Sequence, residues 1–140
     1  MNTPRGAIYA RVSTNEGKQD PETQLLQLRQ YATARGFTII GEFIDYATGR
    51  NEQRPQYQQL LDLVRKRQTD IVLVWRYDRF ARSTKALITA LNEFRTLGVN
   101  FISYQENIDT TTPQGEMVFT IMASLAQFES ALIAERTRAG

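Results

Sequence analysis

Apolar and polar positions along this chain follow two rhythms: short β-like runs, and longer stretches with helical spacing. Residues 7–12, Ala-Ile-Tyr-Ala-Arg-Val, predict a first strand with one charged side chain, Arg11, inside an otherwise apolar pattern. Asp20-Pro21 reads as an N-cap followed by the proline tolerated at the first helical position. That helix carries Leu25, Leu28 and Ala32 inward and stops at Gly36. Residues 37–44 give a second strand ending at Asp45, and a polar loop covers 47–53. Pro55 opens a helix with Tyr57, Leu60, Leu61 and Val64 on one face. The continuous apolar run at 70–75 predicts a strand buried on both faces. Ser83 caps a helix bearing Leu87, Leu91 and Phe94, closed by Gly98, and 99–104 supply a fourth strand. Such alternation with short links predicts an α/β domain, a mostly parallel central sheet flanked by helices.

The last segment breaks the alternation. Residues 113–138 read as one helix, with Val118, Ile121, Met122, Leu125, Phe128 and Leu132 recurring three or four apart. A helix of about 25 residues is about 38 Å long, more than a domain of this size covers. The helix is therefore expected to extend from the body and to bury Ile121, Met122, Leu125, Phe128 and Leu132 against another subunit. The alternative is a long helix lying across its own sheet. No repeat or linker divides the chain, so residues 1–140 are expected to form one domain.

Composition narrows the chemistry. At 140 residues, 41% hydrophobic and 23% charged, the chain has an ordinary soluble balance. No apolar run approaches the ~18 residues of a membrane span, and the N-terminus lacks a signal-peptide core, so a cytoplasmic protein is expected. Without cysteine there are no disulfides, thiolate nucleophiles or zinc ribbons; without histidine the usual general base is missing. An enzyme here works with Ser, Thr, Tyr, Lys, Arg and carboxylates, and any metal is a hard ion on oxygen ligands. Net charge is only +2, but 14 of the 17 cations are arginines. Arginine's planar fork matches phosphate oxygens in pairs; a base-composition bias of the genome gives the same count.

Position separates these readings. Sites of α/β sheets form beyond the carboxyl ends of parallel strands. The first strand ends in Arg11-Val12-Ser13-Thr14, the second leads to Asp45 and a loop with Arg50 and Arg54, and the third runs into Arg76-Tyr77-Asp78-Arg79-Phe80-Ala81-Arg82. Arg11, Arg54, Arg79 and Arg82 are thus placed to converge on one edge around a serine, as an anionic phosphate would require. Each residue alone has a plainer reading. Ser13 fits a turn, and Asp78 with Arg79 and Arg82 fits a solvated ion-pair cluster. Arg11 is harder to dismiss, because a cation inside an apolar strand needs a partner. Dinucleotide and P-loop fingerprints are absent: Gly36 and Gly41 have the spacing, but Glu42 follows where Lys-Ser/Thr is required.

Tyr9-Ala10-Arg11-Val12-Ser13-Thr14, with Gln24 early in the first helix, resembles the N-terminal signature of the serine recombinases, the resolvase/invertase family. Tyr77-Asp78-Arg79-Phe80-Ala81-Arg82-Ser83 resembles their second motif. The stretches 109–115 and 128–136 resemble the start and middle of their long helix. The resemblance implies Ser13 as the nucleophile that attacks a DNA phosphate, leaving a 5′-phosphoserine link and a free 3′-hydroxyl. It implies Arg11, Arg79 and Arg82 on the scissile phosphate with Arg54 in support, Asp78 as candidate general acid, and Gln24 as a lesser contact. It further implies a dimer through the long helix, minor-groove contact near Arg136 and Arg138, and a synaptic tetramer that exchanges ends by rotation. No metal or other cofactor is expected. Ser130 and Ala134 stand where many relatives carry arginines, and the stretch from Thr14 to Thr23 is longer than in the shortest members. The chain is expected to be a catalytic domain whose DNA-binding domain follows it rather than precedes it.

Two other readings predict different behaviour. Asp45, Asp78 and Glu106 follow three successive strands and form a candidate Mg²⁺ set for a nuclease or phosphotransferase. A non-enzymatic dimerisation module would leave the arginines merely solvated.

Overall fold

The protein, described as a computed structural model at residues 3–13, 21–47, 54–81 and 83–139, is built on a five-stranded sheet. Side chains at 13, 21, 47, 78, 79 and 139 lie outside that description, as do the predicted cap Asp20, most of the 47–53 loop and Arg82. In chain order the elements are β1 (Arg5–Ser13), α1 (Pro21–Arg35), β2 (Thr38–Ala47), α2 (Pro55–Arg65), β3 (Ile71–Val74), α3 (Tyr77–Phe80), α4 (Thr84–Thr96), β4 (Asn100–Ser103), β5 (Ile108–Asp109) and α5 (Pro113–Ala139).

The strands lie in the order β2-β1-β3-β4-β5, with the first four parallel and β5 antiparallel to β4. Parallel neighbours require crossovers, and the right-handed rule puts the helix on opposite faces when the chain steps left and when it steps right. Accordingly α1 covers one face, where Leu25, Leu28 and Ala32 meet Ile8, Ala10, Leu73 and Ile102. The other face holds the larger core, where α2, α4 and α5 close over Ala7, Tyr9, Val72, Val74 and Phe101. Period-two alternation along β1 divides its side chains between the two cores. All four residues of β3 are buried, as its unbroken apolar run requires. α1 and α4 stop at Gly36 and Gly98, both at positive φ, as the sequence marks them.

Two elements exceed the sequence reading. α3 has four residues and β5 has two, too short to show any period. β1 also starts earlier than expected, because Asp70 accepts the Arg5 amide at 2.7 Å while its own amide donates to the Arg5 carbonyl.

The long helix matches the expected span but divides its apolar residues differently. Phe119 and Ala126 are buried against the body, with Met122 and Ala123 beside them, whereas Ile121, Leu125 and Phe128 are 52%, 53% and 61% exposed. Met122 therefore belongs to the body-facing side rather than the outward stripe, and Leu132 is only half-buried. No described residue of α5 after Ala126 is buried, so about 18 Å of helix projects beyond the body. The expectation about membrane length needs amendment here: Pro113–Arg138 is long and apolar enough to cross one, with 11% of its apolar window buried. Apolar residues on both sides of the helix, not a single stripe, give it that composition.

The root of α5 is fixed by close packing. Thr112 caps it, its hydroxyl accepting the Gly115 amide at 3.0 Å and donating to the Asp109 carbonyl at 2.9 Å. A Cβ on Gly115 would stand 1.7 Å from the Asp109 carbonyl oxygen, a backbone atom that cannot swing aside. Asp109 is itself clamped, accepting from Arg35 at 3.0 Å and from the Thr111 amide at 2.9 Å. Gly115→Ala is therefore expected to destabilise the protein by about 3 kcal/mol or more, against about 1 kcal/mol for Gly36→Ala, where only φ is unfavourable. Urea denaturation of the two variants measures the difference; equal losses would mean that α5 is not seated this tightly.

Candidate active site at the carboxyl edge of the sheet

From β1 the chain steps to β2 on one side, then returns to β3 and β4 on the other, so β1 and β3 flank the topological switch point. The carboxyl end of that crevice is where open α/β sheets place their ligands. β1 pairs with β3 only from Gly6 to Tyr9, whereas its pairing with β2 runs on to Ser13. Residues 10–13 thus stand past the end of β3, with Ser13 at the tip and half-buried Arg11 two residues below it.

Beneath this tip lies a network that joins three elements. The Tyr9 hydroxyl, on a side chain 1% exposed, donates to Asp45 at 2.8 Å. The same carboxylate accepts the backbone amides of Gln56 at 3.0 Å and Tyr57 at 3.0 Å, in the first turn of α2. It so acts as a capping group supplied from β2, while Arg54 offers no side-chain cap. Arg54 in turn donates from Nε to the Tyr9 hydroxyl at 3.1 Å and from Nη2 to the Phe80 carbonyl at 2.6 Å. Its guanidinium carbon lies 3.9 Å from the Tyr57 ring centroid, a cation–π contact. Burial, opposed in part by Arg54, holds the Tyr9 phenol well above its ordinary pKa. Tyr9 is therefore a fixed proton donor at neutral pH, unsuited to act as a nucleophile or base.

The second motif is placed by its aromatic residue. Phe80 is fully buried, its ring 5.3 Å from Tyr57, 6.1 Å from Tyr9 and 5.1 Å from Phe101. Phe80 and the Arg54 contact fix α3 just past β3, and the α3 backbone positions 78 and 79 follow. Ser83 then caps α4, accepting the Ala86 amide at 3.1 Å. Of the predicted residues, Arg11 and Arg54 are half-buried at this edge and Gln24 is 6% exposed in the first turn of α1. Side chains of Ser13, Asp78 and Arg79, and all of Arg82, lie outside the described residues. Arg136 and Arg138 are exposed on the projecting part of α5.

Sequence reasoning missed Tyr9 and the true role of Asp45. For Tyr9 a signal was available, a tyrosine two residues before Arg11 in the same strand; for Asp45, ten residues before α2, the sequence carries none. The geometry also disfavours the metal alternative. Asp45 is spent on α2 and Tyr9, and Glu106 accepts the Ser103 hydroxyl three strands away, roughly 14 Å. No group of three or more metal-ligating side chains occurs among the described residues.

This chain has counterparts among known proteins. Residues 6–140 match the family described as "Resolvase, N terminal domain", and the chain belongs to that family. It is 41% identical over 132 residues to the transposon Tn917 resolvase of Enterococcus faecalis, covering 94% of this chain and 66% of that protein. It is 39% identical to the DNA-invertase of Escherichia phage P1, with the same coverage, so it spans slightly less than two thirds of these curated relatives. Among solved structures, the N-terminal catalytic domain of TP901-1 integrase superposes with a TM-score of 0.81 at 32% identity, over 91% of this chain and 98% of that one.

The network beneath the site makes a thermodynamic prediction. Tyr9→Phe and Arg54→Ala are each expected to cost about 1–3 kcal/mol, and the double variant less than their sum by at least about 0.5 kcal/mol. A double-mutant cycle by urea denaturation tests it; strict additivity would show that the two side chains do not act through one another.

Proposed function

We propose that this chain is the catalytic domain of a site-specific DNA recombinase and that Ser13 is its nucleophile. The observation that carries the reading is the placement of Ser13 at the tip of β1, beside the switch point, with Arg11 below it and α3 anchored alongside. The Ser13 oxygen attacks a DNA phosphorus, the P–O3′ bond breaks, and a 5′-phosphoserine ester forms with release of a 3′-hydroxyl. Attack by another 3′-hydroxyl on that ester restores the DNA backbone and frees Ser13. Because one phosphodiester is exchanged for another, bond energy is conserved and no nucleotide is consumed.

Phosphoryl transfer asks mainly for positioning and charge stabilisation. Arg11, Arg79 and Arg82 supply the charge, Asp78 protonates the leaving oxygen, and Gln24 makes a lesser contact. Arg54 acts from behind, holding α3 to β1. The exposed side of α5, centred on Ile121, Leu125 and Phe128, pairs two copies; two dimers form the synaptic tetramer, and Arg136 and Arg138 contact the minor groove. Selection of the target site is the task of a separate DNA-binding domain, and the protein acts on DNA in the cytoplasm.

The test fuses a sequence-specific DNA-binding domain to the C-terminus and supplies paired sites in EDTA. Protein covalently joined to DNA 5′ ends is expected, lost completely in Ser13→Ala and reduced about 10²–10³-fold in Arg79→Ala. Cleavage that survives Ser13→Ala and disappears in EDTA would establish the metal reading instead.

The pairing of copies has its own measurement. Ile121→Asp with Leu125→Asp is expected to give a monomer in sedimentation equilibrium with little change in melting temperature, since both positions are more than half exposed. An unaltered dimer would place the interface elsewhere.

A further inference from the structure

At the edge of the sheet opposite the candidate active site, α4, β4 and the root of α5 border a half-open cavity of about 220 Å³. Its walls include Leu91, Phe94, Val99, Phe101 and Phe119, each at most 5% exposed. At its rim Arg95 is committed, ion-paired with Glu116 and lying 4.8 Å over the Phe119 ring. Asn100 and Thr110 supply the polar border. The Thr110 hydroxyl donates to Asn100 Oδ1 at 3.1 Å and accepts the Phe101 amide at 2.8 Å. The Asn100 Nδ2 group has no hydrogen-bond partner among the described residues.

We infer that this cavity is a binding site for a neutral molecule of one aromatic ring bearing a hydrogen-bond acceptor, the phenol class. Size sets the first limit: an apolar cavity of ~150 Å³ holds benzene, so this one accommodates one substituted ring and not two. Lining sets the second, since three phenylalanine rings offer edge-to-face and offset contacts to another aromatic. Charge sets the third. An anion would have to compete with Glu116 for Arg95, and a cation would meet an amide donor. Asn100 Nδ2, a donor at the half-buried border, offers a hydrogen bond to an acceptor carried by the ring. The occupant would touch α4, β4 and the first two turns of α5 together, bracing the root of the helix that the proposed function assigns to subunit pairing.

Phenol and toluene, titrated separately into the isotopically labelled 140-residue chain, are the probes. Saturable shifts confined to the lining residues are expected, with a phenol Kd on the order of 1 mM and toluene several-fold weaker. Asn100→Ala should remove the preference for phenol, and Val99→Phe, which fills the space, should remove binding of both. Nuclear Overhauser contacts from phenol to the Leu91 and Val99 methyls give a readout that needs no variant. No saturation up to the solubility limit, contacts elsewhere, or equal affinity for phenol and toluene in the unmodified chain would each overturn the inference. The covalent DNA assay is independent of this result, so failure here leaves the recombinase reading standing, and the reverse holds.

Discussion

Asp45 is 3% exposed, and an isolated carboxylate at that depth would be strongly disfavoured. It is tolerated because every direction it faces offers a donor. Two amides of the first α2 turn bring the positive end of a helix dipole, and the Tyr9 hydroxyl adds a third hydrogen bond from the central strand. One anion thereby ties β1, β2 and α2 into a single body. Arg54, sharing the Tyr9 hydroxyl and reaching the Phe80 carbonyl, extends that body to α3. Removing the carboxylate would orphan three donors at once, two in the first turn of α2 and one on β1, so the seating of α2 against β1 depends on it.

The same logic of one residue serving two neighbours governs α5. A helix with one partner needs one apolar stripe; this helix has two. Phe119, Met122 and Ala126 hold it to its own body, while Ile121, Leu125 and Phe128 face outward. Gly115 lets its first turn descend onto the Asp109 carbonyl. The helix is anchored at one end and unburied over its last described turns, and its direction is set where Gly115, Asp109 and Arg35 meet. The cavity between α4 and α5 lies beside that root.

Much of this was legible in the sequence, for identifiable reasons. The strands β1 and β3 carry long apolar runs, the glycines at 36 and 98 mark real stops, and prolines at 21, 55 and 113 mark real starts. The placement of Arg11 and Ser13 past the end of β3 followed from the rule for parallel strands. What escaped was whatever depends on contacts distant in sequence. A capping residue ten positions before its helix, as with Asp45 and α2, leaves no local pattern. Helical spacing alone could not tell the inner from the outer side of α5, since Met122 and Ile121 are equally apolar neighbours. α3 owes its existence to Phe80 in the core, not to propensity.

The absence of histidine and cysteine from the chain leaves hydroxyls, lysine amines and carboxylates as candidate nucleophiles, and the structure narrows the hydroxyls. Tyr9 is excluded by burial and by its bond to Asp45, and Tyr57 shares its elevated pKa for the same first reason, burial. A hydroxyl without a neighbouring imidazole must lose its proton by electrostatic means, and fixed cations do this without themselves titrating near neutrality. Arginine suits such a site, because its planar fork can hold two phosphate oxygens where lysine brings a point charge. Where it meets β1 and α3, Arg54 is half-buried and hydrogen-bonded rather than solvated. There the guanidinium of Arg54 serves the architecture, tying α3 to β1, while Arg11 lies half-buried two residues below the tip of the strand.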